Sequence, residues 1–84
     1  MTSTLDLHHP FVLEFPELRE AIHNLKLGDA HFRRLFDEYH DVDRAIVRIE
    51  EDIDPASDSR TEELKVRRVH LKDDLLRQVQ KSVA

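Results

Sequence analysis

Cysteine and tryptophan are absent from this 84-residue chain, and glycine occurs once. Without thiols there is no disulfide scaffold, no thiolate metal site and no cysteine nucleophile. A single glycine cannot build a Gly-rich phosphate cradle. No apolar run reaches the ~18 residues that a membrane-spanning helix needs. Met1–Pro10 has neither a basic residue nor a useful apolar stretch, so no secretory signal is expected and a cytoplasmic location is. The length suits one domain, with a folding free energy of about 4–12 kcal/mol expected for that size.

What the chain has in quantity is charge: 13 Lys+Arg against 18 Asp+Glu, a net of −5. The charge is unevenly spread. Residues 1–59 hold 6 basic and 14 acidic groups, whereas 60–84 hold 7 basic (Arg60, Lys65, Arg67, Arg68, Lys72, Arg77, Lys81) and 4 acidic. Such a split fits a nucleic-acid tail or two helices that pair with each other.

The apolar spacing favours the helices. Residues 1–15 read as a flexible lead-in carrying His8-His9-Pro10 and the cluster Phe11-Val12-Leu13. Pro16 suits the first turn of a helix, and Leu18, Ile22 and Leu25 follow as one stripe. Gly28 is expected to close that helix in the left-handed conformation, with Asp29 capping the next. From Asp29 to Asp52, Phe32, Leu35, Tyr39, Val42, Ile46, Ile49 and Ile53 alternate spacings of three and four, a heptad seam. Phe36 and Ala45 widen it slightly. Pro55 is expected to end that helix. Ser59 and Glu62 form a Ser-x-x-Glu capping box before a third helix, about Arg60–Lys81. Leu64, Leu71, Leu75 and Val79 make one stripe of it, and Val69, Leu76 and Val83 a second.

A short turn between long helices predicts an antiparallel, coiled-coil-like hairpin. The fold class is therefore all-α: a short N-terminal helix, then the hairpin, in one domain over residues 16–84. Residue numbers summing to 113–114 place Ile49 by Leu64, Val42 by Leu71, Tyr39 by Leu75 and Leu35 by Val79. Ile46 alone meets a charge, Arg68, whose methylenes are expected to cover it while the guanidinium reaches Asp43 or Glu50. Arg68 can also specify the register, as a lone polar seam residue does.

Pro16-Glu17-Leu18-Arg19, Phe32-x-x-Leu35-Phe36-Asp37, His40-x-Val42-Asp43-x-x-Ile46 and Leu71-Lys72-Asp73-Asp74-Leu75 are similar in order and spacing to the YdcH-like family of small bacterial proteins. The resemblance covers about residues 15–80, with Val42 where that family more often has Leu. It implies a compact helical hairpin of unassigned biochemical function. Its recurrent elements His40, Asp43 and Leu71-Lys72-Asp73 mark where a shared role would lie.

Chemistry is sparse. None of the six histidines forms an i, i+4 pair, no His-Glu-x-x-His occurs, and no cofactor or metal is expected. His40 flanks the seam and is placed near Asp73 and Asp74 across the hairpin. Those two carboxylates are adjacent, so they diverge by about 100° on a helix and form no dyad. No nucleophile, base and orienter converge, and the chain reads as a non-enzyme. The expectation is a self-associating interaction or adaptor protein, with an unidentified protein partner as a further possibility for the same surface. Val69, Leu76 and Val83 would carry the contact, with Leu18 and Ile22 from the short helix either covering that stripe or joining a second subunit. The alternative is nucleic-acid binding through Lys65, Arg67 and Lys72, against which stand the acidic pI of about 5.6 and the absence of aromatics in the third helix.

Overall fold

A computed structural model of the chain describes residues 9–84. Those residues are all-helical, with no strand among them. Helix α1 spans Pro10–Glu14, a 3-10 turn Pro16–Leu18 leads into α2, Arg19–Gly28, and the long helices α3 and α4 span Ala30–Glu50 and Asp58–Val83. No helix among the described residues is long and apolar enough to cross a membrane.

The described part of the expected lead-in is folded, which corrects that reading; His8 lies outside the described residues. Pro10 opens α1 where its missing N–H costs nothing. His9 caps it, its Nδ1 accepting from the Phe11 N–H at 3.1 Å. The other ring nitrogen, Nε2, lies 2.8 Å from the Phe36 carbonyl oxygen on α3. A backbone donor at one nitrogen and a backbone acceptor at the other leave one neutral tautomer, with the proton on Nε2. The imidazole also stacks on Phe36, ring centroids 3.6 Å apart. Phe11 and Val12 are thereby buried against α3.

Three helix termini differ from expectation. Gly28 is the last residue of α2 and has no positive φ. The left-handed residue is instead Asp52, φ 58°. It ends α3 as a Schellman turn: the Asp52 N–H donates to the Ile49 carbonyl at 3.1 Å and the Ile53 N–H to the Arg48 carbonyl at 2.9 Å. This stop precedes Pro55, and it leaves Ile53 beyond the helix and 53% exposed rather than in a seam. Arg48 Nε then binds Asp54 Oδ2 at 2.7 Å across the turn. The cap of α4 is Ser57, accepting from the Arg60 N–H at 3.1 Å, not the Ser59–Glu62 box. Asp29 caps α3 as expected, accepting from the Phe32 N–H at 3.1 Å.

Glycine thus stands where a side chain is tolerated, and aspartate where glycine fits best. A Cβ on Gly28 meets nothing within 4 Å. Gly28→Ala and Asp52→Gly are each expected to raise stability by about 0.5–1 kcal/mol in urea denaturation. Loss of stability in Asp52→Gly would contradict the left-handed turn.

One core joins all four helices. Phe11, Val12, Ile22, Phe32, Phe36, Tyr39, Leu71, Leu75 and Val79 form a single buried cluster. Ile46 and Leu64 are buried nearer the 51–57 connection. The stripe Leu64, Leu71, Leu75 and Val79 is the buried face of α4, as its spacing predicts.

Candidate interaction surface

Burial of that stripe fixes what the rest of α4 faces. At 100° per residue, the opposite face carries Ser59, Glu62, Val66, Val69, Asp73 and Gln80, all exposed. Val66 is 49% and Val69 51% exposed, and Val83 near the C-terminus is 59% exposed. A shallow, open hollow on this face is lined by Ser59, Glu62, Glu63, Val66, Arg67 and His70.

The residues singled out from sequence divide into two groups. Val69 and Val83 stand exposed on α4. Leu76 and Leu18 are only half-buried and pack on the core, and Ile22 is 1% exposed inside it. Ile22 is therefore removed from any contact surface, and Leu76, at the inner edge of the second stripe, packs on the core within the chain itself. Val66 was missed, although its spacing of three from Val69 marks the same face.

The polar candidates are mostly engaged within the chain. Arg68 Nη1 binds Asp43 Oδ1 at 2.7 Å, while Ile46 is fully buried. This is the arrangement expected of an arginine whose charged end leaves an apolar seam. Lys65 lies 3.8 Å from Glu50, Arg67 Nε donates to Glu38 at 2.8 Å, and Arg77 binds Asp74 at 2.9 Å within α4. Lys72 donates to Glu14 at the end of α1, 2.9 Å away. Five of the seven cations of residues 60–84 are thus matched to carboxylates. His40 lies beside His9, ring centroids 5.2 Å apart, rather than against Asp73 or Asp74. Asp73 is exposed. No group of three or more potential metal ligands exists among the described residues.

Tyr39 and Lys72 share an environment that alkali should disrupt. Burial, opposed by the charge of Lys72, raises the Tyr39 hydroxyl above its ordinary 10.0. The hydrogen bond to Glu14 raises Lys72 above 10.5. A group whose folded pKa is raised stabilises the fold fully below its unfolded pKa, and that contribution disappears as pH rises through the folded value. Both shifts therefore predict stability retained at neutral pH and lost above pH 10. Tyr39 is the only tyrosine and tryptophan is absent, so phenolate absorbance reports this site alone. Its midpoint is expected above that of free tyrosine and together with loss of helicity. Titration at the ordinary value with circular dichroism unchanged would contradict the packing.

Comparison with known proteins adds one match. A family described as "Protein of unknown function (DUF465)" matches residues 32–79, covering all but the start of α3, the connection and most of α4. No curated protein and no solved structure matches the chain.

Proposed function

The chain belongs to the DUF465 family, in line with its resemblance to the YdcH-like proteins, and we propose that it is a non-catalytic interaction protein that self-associates through the outward face of α4. The observation that carries this reading is the pair Val66 and Val69. Every Leu of α4 and Val79 are buried or packed on the core, yet these two valines stand half-exposed one turn apart. Scattered single apolar residues need no explanation. Two on one turn of a ridge, with Val83 further along, supply an apolar centre flanked by charge, the pattern of a helix that packs on another.

In this reading α3 and α4 form a rigid antiparallel hairpin that presents the face. Its support is the ion-pair order: Glu50 with Lys65, then Asp43 with Arg68, so numbers fall along one helix as they rise along the other. The ion pairs also weigh against nucleic acid as the partner. Glu50, Glu38 and Glu14 lie beside Lys65, Arg67 and Lys72 and would repel a phosphate brought to them. The protein acts in the cytoplasm in this reading.

The test is light scattering behind size exclusion at micromolar concentration. Wild type is expected to run as a dimer, and Val66→Lys/Val69→Lys as a monomer of unchanged helix content. A wild-type monomer would overturn the proposal.

A further inference from the structure

We infer that the occupant of this face is a second copy of the chain, docked antiparallel along α4 about a two-fold axis passing near His70. The inference rests on the self-association reading above and adds the geometry of the contact. Its basis is the charge order along the exposed face, which is reversed about residue 70. Glu62 and Glu63 lie on the N-terminal side, with Arg67 nearer the middle. Beyond residue 70 come Asp73 and Asp74, then Arg77 and Lys81. The sequence of signs is acid, base, acid, base.

A two-fold axis across such a helix brings residue i beside a partner residue j with i + j constant. When that sum is about 140–143, Glu63 meets the partner's Arg77, and Glu62 meets the partner's Lys81. Arg67 falls between the partner's Asp73 and the partner's Asp74. Val66 comes against the partner's Leu76, Val69 lies close to the axis across from the partner's Asp73, and His70 lies beside the axis with the partner's Asp73 in reach. Symmetry makes each of these contacts twice. Like charges meet at Arg60 with the partner's Lys81, at the margin of the face, and at Lys65 with the partner's Arg77 and Arg68 with the partner's Lys72, where Lys65, Arg68 and Lys72 are each matched to a carboxylate within the chain. A parallel dimer in register would instead set every charge against itself, which is destabilising. The opposed pattern therefore selects the antiparallel arrangement. Existing contacts do not block it. The Arg67–Glu38 and Arg77–Asp74 pairs are exposed, and exposed pairs exchange partners at little cost.

The absence of cysteine makes the test clean. His70→Cys introduces a single thiol beside the axis. Facing backbones of packed helices lie within disulfide reach, so mild oxidation is expected to convert this variant rapidly to a covalent dimer. Arg44→Cys, on the exposed side of α3, is expected not to cross-link at the same protein concentration. Glu63→Arg is expected to weaken the dimer about tenfold, because reversal turns two attractive contacts repulsive. Glu63→Arg/Arg77→Glu is expected to return it to within about threefold of wild type. Circular dichroism of each variant confirms that the fold is retained. A wild-type dimer whose His70→Cys form stays unlinked, and whose affinity ignores Glu63→Arg, would overturn this geometry and leave self-association standing. A wild-type monomer would overturn both.

Discussion

Replacing Phe36 by Ala is expected to lower the folding free energy by about 3–5 kcal/mol, a large share of the total available to a chain of this size. Phe36 is 1% exposed and meets three separate parts of the structure. The His9 ring stacks on it at 3.6 Å, the Phe32 ring lies 5.9 Å away, and the Lys26 ammonium sits 5.5 Å from its centroid. Truncation removes the ring from the junction of α1, α2 and α3, so no single neighbour can collapse into the space. Urea denaturation measures it. The heptad pattern alone makes Phe36 a flanking residue, for which the loss would be under about 1 kcal/mol; that smaller value would refute the packing of α1 on α3. Leu27→Ala serves as the surface control, since Leu27 is 67% exposed, and should change stability by no more than about 0.5 kcal/mol.

His9→Ala is the second large effect, expected at about 1–3 kcal/mol. The substitution removes the side-chain acceptor of the Phe11 N–H, the donor to the Phe36 carbonyl and the stacked ring at once. Backbone groups left in a buried place without water account for most of the cost. For a domain of this length the melting temperature should fall by about 4–8 °C for each kcal/mol lost. Residues of a flexible lead-in would show no such dependence. An unchanged melting temperature in His9→Ala would therefore contradict the docking of α1 on α3.

Much of the fold was legible because helical periodicity is a local signal. Leu64, Leu71, Leu75 and Val79 announce a buried face by spacing alone, and Asp29 announces a cap by its position before Phe32. The Arg68–Asp43 pair was legible too, because a charged residue in an apolar seam has to send its charge somewhere nearby. Other features depend on contacts far apart in sequence or on backbone geometry that no residue type dictates. His9 finds its acceptor 27 positions away, on Phe36. Asp52 adopts a conformation more common in glycine, so the sequence does not mark the end of α3, and the heptad spacing extends to an Ile53 that lies beyond the helix. The lone glycine suggests a left-handed cap because glycine is the usual residue there, although Gly28 is the last helical residue of α2 and has no positive φ.

The interaction surface was half legible for a related reason. A second apolar stripe on α4 is visible in the sequence, but which of its members the chain itself covers is a matter of packing. Leu18 and Ile22 proved to be core-facing, and Leu76 packs beside the core. Val69 and Val83 remain exposed, together with Val66 on the same face as Val69. Charge order then carried more information than apolarity. The alternation of Glu63, Arg67, Asp73 and Arg77 is what distinguishes an antiparallel partner from a parallel one.

Sedimentation equilibrium of the wild-type protein across the micromolar range tests self-association most directly. The outward face of α4 predicts a mass rising from one 9.9 kDa chain to that of two and no further, because a two-fold contact closes on itself. The same experiment on Val66→Lys/Val69→Lys should give one chain throughout. A wild-type mass that stays at one chain at every concentration would contradict the account.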